Sequence, residues 1–166
     1  MITKFELLKE RCEKENASLW ELSIKDEIEN TGRSEEEIFD RLQRTLDVMK
    51  NSSHAALEVP VVSVTGMTGG NAKVMNDYFL GGDTVLGDTA AKAMAMALST
   101  SEVNAAMGQI VAAPTAGSSG ILPATLMIMY HKYGYDDQKL KEAMLVATQM
   151  GQVIFDNATS VSYTHL

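Results

Sequence analysis

The sequence predicts a mainly α fold, an all-helical domain whose helices are joined by glycine-rich loops. Three observations carry that expectation. Apolar residues recur at three- and four-residue intervals through most of the chain, which is the spacing of one helix face. Serine stands three residues before glutamate at Ser18 and Glu21 and again at Ser34 and Glu37, a reciprocal cap for the first turn of a helix. Only one run, residues 59–65, is β-like, and Pro60 within it argues against a central strand, because proline cannot donate to a ladder.

Residues 3–15 place Phe5, Leu7, Leu8 and Cys12 on one face of a short helix. Ser18 opens a second helix, which carries Trp20, Leu22, Ile24 and Ile28 and is closed by Gly32. Ser34 opens a third, with Ile38, Leu42, Leu46 and Met49 at helical spacing as far as about His54. After the string TGMTGGNA a helix is expected over 71–80, closed by Gly81 and Gly82. The Ala- and Met-rich stretch 84–98 predicts a buried helix, and 101–112 predicts another, interrupted at Gly108. Ser119 is expected to cap a helix that has Pro123 in its first turn, where proline is tolerated, and that ends near Gly134. Asp136 is expected to cap a last helix through Leu140, Met144, Val146 and Val153 to about Asn157.

The length of 166 residues suits one domain with a real core. A net charge of -8 argues against a sequence-independent nucleic-acid binder, which needs clustered Lys and Arg to neutralise phosphate. The acid lies mostly before Glu58, so a solvated helical front is expected ahead of a more buried body. No segment reads as a membrane span, since the weakly charged stretch 103–129 is broken by Gly108, Pro114, Gly117, Gly120 and Pro123. The N-terminus lacks the apolar core of a signal peptide, which makes a cytoplasmic address the expectation. Cys12 is the single cysteine, so neither an internal disulfide nor a multi-thiolate metal site can form within the chain. The 11 methionines are expected to fill core gaps. His54, His131 and His165 show no metal-ligand spacing and read as surface or capping residues.

Three segments are candidates for chemistry. In residues 63–71, Thr65, Thr68 and Asn71 supply side-chain donors, while Gly69 and Gly70 let the backbone approach a ligand. If Asn71 opens a helix, its N–H groups can face an anion. The bland reading is a glycine turn between buried helices, and no Gly-Lys-Ser/Thr makes it a phosphate loop. Glu102 and Asn104 read either as a helix-start pair or as a polar pair facing a pocket, where Asn104 can bond a substrate amine or carboxylate. Residues 113–120, APTAGSSG, hold Thr115, Gly117, Ser118 and Ser119 without a charge. That loop is either an anion or carboxylate cradle or a tight interhelical turn. A serine nucleophile is not expected there, because the Gly-x-Ser-x-Gly order is absent.

The strings TGMTGG, SEVNAAMGQIVAAPTAGSSGILPATL and FDNATS, in this order and spacing, resemble the α chain of iron–sulfur-dependent L-serine dehydratases. The resemblance runs from about Phe5 to Ser160. On it, residues 1–160 are read as the N-terminal part of the family's all-helical catalytic domain, and 161–166 as a tail unlike the family. It implies an L-serine ammonia-lyase that converts serine to pyruvate and ammonia on a [4Fe–4S] cluster without pyridoxal phosphate. It also implies a β chain or fused β domain as partner. The matched loops imply substrate-pocket walls at Thr65, Thr68, Gly69, Gly70, Asn71, Asn104, Thr115, Gly117, Ser118 and Ser119. The family's cluster cysteines lie in a further half of the α chain, and Cys12 matches none of them. No iron ligand or general base is therefore assigned here, and the chain alone is expected to be inactive. Two rivals remain. A pyridoxal-phosphate dehydratase would need a Schiff-base lysine in a strand–loop context, whereas Lys73 and Lys92 fall in predicted helices. A helical interaction module is the other.

Overall fold

The computed structural model describes residues 5–113 and 115–157. Pro114, the last three residues of FDNATS and the tail 161–166 lie outside them. The predicted mainly α class is what is found: seven α-helices and one 3-10 turn among the described residues. The helices are α1 Phe5–Glu15, α2 Leu19–Thr31, α3 Glu35–His54, α4 Asn71–Leu80, α5 Asp88–Ala105, α6 Ile121–Tyr133 and α7 Asp137–Asn157. The β-like run forms no strand among the described residues; one isolated antiparallel bridge joins Val62 to Gly69. No helix among the described residues is long and apolar enough to cross a membrane.

Local signals place the helix ends. Ahead of α2, the Glu21 carboxylate accepts from the Ser18 hydroxyl and from its N–H, each at 2.7 Å. Those bonds hold the Glu21 carboxyl below its ordinary range. Gly32, with φ 68°, closes α2 through its N–H on the Ile28 carbonyl. Ser34 and Glu37 cap α3 reciprocally. Asp136 accepts the Lys139 N–H at the start of α7, and Gly134 ends α6 in the left-handed region.

The chain divides into two units. The first comprises Met1–Leu42 with Lys141–Leu166. Its core is Ile24, Ile38 and Leu145, with Trp20, Ile28, Phe39 and Leu42 packed against it. Arg11 pairs with Glu15 within α1 at 2.7 Å and ties α1 to α2 through Asp26 at 2.6 Å. The Ser23 hydroxyl donates to the Leu145 carbonyl. A groove of about 530 Å³ in this unit touches Arg11, Asp26, Glu29 and Gln152 and holds none of the predicted site residues.

The second unit, Gln43–Leu140, is organised around α5, which packs on both α4 and α6. Ala91, Ala95 and Met96 are almost wholly buried, and small side chains let helix axes come close. Ser99 locks α5 to the end of α3. Its hydroxyl donates to the Ser52 carbonyl at 2.7 Å and accepts the Ala56 N–H at 3.0 Å. Met49, Met96 and Met127 fill this core as expected, but Met67 and Met107 are more than four-fifths exposed. The histidines expected to be unremarkable meet: Nε2 of His54 lies 3.0 Å from Nε2 of His131. Since His54 Nδ1 faces the Lys50 carbonyl at 2.8 Å, it carries the proton there, and His131 must donate between the two rings. Burial first, then the neighbouring Lys92, His54 and Lys50, hold His131 below its ordinary pKa.

The expected pair of helices over 84–112 is not found in this unit. Residues 84–98 and 101–112 do not form two helices; α5 runs unbroken from Asp88 to Ala105. The hydroxyls of Thr100 and Ser101 turn back onto the carbonyls of Met96 and Ala97 instead of opening a new helix. Glu102 and Asn104 are therefore at a helix end, not a helix start.

Candidate functional site

The three predicted segments lie along the C-terminal half of α5, all within the second unit. Residues 63–70 form a compact hairpin-like turn. The Ser63 N–H donates to the Thr68 carbonyl at 2.8 Å, the Thr68 N–H to Ser63 Oγ at 3.2 Å, and the Gly66 N–H to the Ser63 carbonyl at 2.8 Å. Ser63 Oγ and Thr65 Oγ1 are 3.3 Å apart. Gly69 is there for space. Its φ is 142°, and a Cβ would lie 2.3 Å from the Val61 carbonyl oxygen. Gly70 follows in the left-handed region at φ 84° and starts α4.

Two bonds fasten this turn to α5. The Val64 N–H donates to the Ala105 carbonyl at 3.2 Å. Glu102 Oε1 accepts the N–H groups of Asn71 at 2.6 Å and Ala72 at 3.1 Å. Glu102 is only 7% exposed. It thus occupies the α4 N-terminus, where a carboxylate satisfies orphan donors and meets the positive end of the helix dipole. The expectation that these N–H groups await an external anion is corrected: a side chain 31 residues on already takes them. The sequence sets Glu102 beside Asn104, and no signal near Asn71 points to it.

Glu102 and Asn104 do not share a face. Two residues apart on a helix, they are turned about 200° from one another. Asn104 is half-buried in the last turn of α5. Beyond it the chain closes in a Schellman arrangement: the Gly108 N–H reaches the Val103 carbonyl at 2.8 Å and the Met107 N–H the Asn104 carbonyl at 3.0 Å. The left-handed position falls on Met107, φ 61°, where glycine is usual. A Cβ at Gly108 would lie 2.7 Å from Val103 Cγ1.

The segment 113–120 caps itself. Thr115 Oγ1 accepts the Ser118 N–H at 3.3 Å, Ser118 Oγ accepts the Thr115 N–H at 3.2 Å, and the two hydroxyls are 3.0 Å apart. Ser118 Oγ also reaches the Ala113 carbonyl at 3.2 Å. Ser119 is buried and donates to the Ala116 carbonyl at 2.7 Å; it does not cap α6, whose N-cap is Gly120. Thr115 and Gly117 are exposed. Gly120 packs on α5 so tightly that a Cβ would lie 2.5 Å from the Ala97 carbonyl oxygen. Gly117, Ser118 and Ile121 line a cleft of about 250 Å³ with Met94, Ala97 and Ser101. Residues 115–117 are exposed, and the hydroxyls of Thr115, Ser118 and Ser119 are satisfied locally, as in a tight interhelical turn.

Among the described residues no group of three or more His, Cys, Asp or Glu could hold a metal ion. Cys12, the one cysteine of the sequence, is half-buried on α1.

Residues 14–164 match the family of the serine dehydratase alpha chain. The chain belongs to this family. It is 44% identical over 148 residues to the L-serine dehydratase alpha chain of Peptoniphilus asaccharolyticus, covering 89% of this chain and 51% of that protein. A probable L-serine dehydratase alpha chain of Bacillus subtilis (strain 168) is 36% identical over 139 residues, covering 84% and 46%. The alignment with a probable L-serine dehydratase alpha chain of Latilactobacillus sakei is shorter: 37% over 71 residues, or 43% and 34%. The chain thus spans about half the length of the first two relatives. No solved structure matches it.

Proposed function

We propose that this chain is the part of an L-serine ammonia-lyase that shapes the substrate pocket. Serine loses its Cα proton and its β-hydroxyl, as water. The aminoacrylate formed tautomerises to an imine, which water hydrolyses to pyruvate and ammonia. The observation that carries this reading is the convergence of two polar loops on one helix, α5, in a chain of the serine dehydratase alpha chain family. Such loops can hold a small zwitterion in one orientation, and positioning alone removes much of a barrier.

The pocket walls we assign are Thr65, Thr68, Gly69, Gly70, Asn71, Asn104, Thr115, Gly117, Ser118 and Ser119. Their roles differ. Gly69, Gly70 and Ser119 shape the backbone. Asn71 and Thr68 present exposed donors, and Asn104 presents its amide at the α5 end. Thr115 and Ser118 reach a ligand only by exchanging their mutual bonds.

A [4Fe–4S] cluster would act as a Lewis acid on the leaving hydroxyl, but the residues described here do not fit it, since such clusters are held by several thiolates. The ligands then belong to the part of the enzyme that the relatives possess beyond this chain, completed by a β chain or β domain. We place residues 1–160 in the catalytic domain on the same grounds, in a cytoplasmic enzyme.

Replacing the matching half of the Peptoniphilus alpha chain by this sequence, with its β partner present, should give an enzyme that forms pyruvate from L-serine. The 166-residue chain alone, reconstituted with iron and sulfide, should form none. A folded but inactive hybrid would overturn the reading, and pyruvate from the lone chain would overturn the placing of the cluster ligands elsewhere.

A further inference from the structure

One oxygen of Glu102 has no partner among the described residues. Oε1 is committed to the Asn71 and Ala72 N–H groups. Oε2 is sealed from solvent and meets no donor among the described residues. Buried polar atoms in native proteins are almost always paired, and an exception asks for an explanation. An anionic oxygen removed from water asks for a cation or a strong donor. The positive end of α4 is already engaged by Oε1, and no Lys or Arg forms an ion pair with Glu102 among the described residues.

The sequence around the site sharpens this. In residues 59–72 and 93–129, which contain both loops and the half of α5 between them, Glu102 is the only charged side chain. The rest of the candidate pocket is backbone N–H, hydroxyl and amide. Those donors suit the carboxylate of an amino acid. Nothing else there offers a negative charge to its ammonium.

We propose that Glu102 Oε2 is the acceptor for the α-ammonium of the amino-acid substrate. This rests on reading the α5 loops as an amino-acid pocket, and it requires the ligand to displace the atoms that seal Oε2 in this structure. One carboxylate then serves two ends: Oε1 fixes the start of α4 and the Gly69–Gly70 backbone, and Oε2 selects a ligand carrying a protonated amine. A site built this way takes 2-amino acids and refuses the corresponding 2-hydroxy acids, because a neutral hydroxyl leaves the buried charge uncompensated.

The test compares L-serine with L-glycerate, which has a hydroxyl where serine has its amine. Binding to the ¹⁵N-labelled chain is followed at the amides of Asn71 and Ala72, which report directly on Glu102. L-Serine should shift both signals saturably, and L-glycerate should bind more weakly by about tenfold or more. Glu102→Gln keeps an acceptor for the two N–H groups but turns an NH2 toward the ammonium, so it should lose serine by a similar factor. Equal affinity for serine and glycerate in the unaltered chain, or a folded Gln variant that binds serine normally, would leave the pocket reading standing and overturn the role of Glu102; the unpaired oxygen would then hold only a water. If neither ligand moves any resonance of the two loops, the pocket reading fails and this assignment with it. The serine–glycerate comparison needs no variant, so it stands even if the Gln chain does not fold.

Discussion

Segment 63–71 and segment 113–120 are built from the same few residue types, and both lean on α5, yet they are held by different means. The first is held from a distance: Glu102 and Ala105 reach it across more than thirty residues. The second is held by itself, through the reciprocal bonds of Thr115 and Ser118, and meets α5 mainly by the packing of Gly120 on Ala97. Hydroxyls and glycines in a loop therefore do not reveal whether its donors are free. In the first loop a carboxylate elsewhere takes the α4 N–H groups, and only Ser63 and Thr65 turn their hydroxyls on the loop itself. The second uses its hydroxyls on its own backbone.

The sharpest way to break the comparison is Gly69→Ala. The new Cβ would overlap the Val61 carbonyl oxygen at a φ of 142°, and backbone, unlike a side-chain tip, cannot swing aside. A loss of about 3 kcal/mol is expected, read from the midpoint of urea unfolding. Alanine at Gly117, which has only Thr115 Oγ1 near 3.9 Å, should be close to neutral. Similar losses at both glycines would mean that the first loop is no more constrained than the second.

Glu102→Ala comes next. It removes the acceptor of two α4 N–H groups and also a buried unpaired oxygen; these effects oppose each other. The lost charge-assisted bonds should win, at about 2 kcal/mol. Hydrogen exchange at Asn71 and Ala72 should quicken while that of Ser118 and Ser119 stays as it was. Equal quickening at both loops would show that the second depends on the clamp as well.

What could be read in the sequence follows the same division. The cap at Ser34 and Glu37, the stops at Gly32 and Gly134 and the start at Asp136 all act within four or five residues, and all are where the sequence places them. The fold class and the family strings were equally legible. The unbroken α5 was not. The break expected between residues 98 and 101 is absent, and the partner of the Ser99 hydroxyl there is the Ser52 carbonyl, 47 residues away. The clamp on α4 was hidden for the same reason: a buried glutamate on one helix and an orphan N–H on another share no local pattern.

Met107→Gly sharpens the comparison in the opposite direction. Methionine at φ 61° costs about 1 kcal/mol relative to glycine in the left-handed region, and the side chain, 83% exposed, recovers little by packing. Glycine should raise the melting temperature by about 2–4 °C. If serine affinity falls in the same variant, the strain belongs to the pocket, as backbone strain at functional sites often does. A variant that gains stability without losing affinity would mark Met107 as a residue of the helix end alone.

The smallest effect is expected at Thr115→Ala. It deletes the acceptor of the Ser118 N–H and one side of a reciprocal cap, in a position that water reaches. Solvent can replace much of what is lost, so about 0.5–1 kcal/mol is expected, with α5, α6 and the first loop undisturbed. If Thr115 and Ser118 form a closed pair, Thr115→Ala and Ser118→Ala should each cost about this much and the double variant little more, because either change alone breaks the same bonds. Additive losses would instead show Ser118 acting through its bond to the Ala113 carbonyl. The second loop would then be fastened at two independent points rather than one.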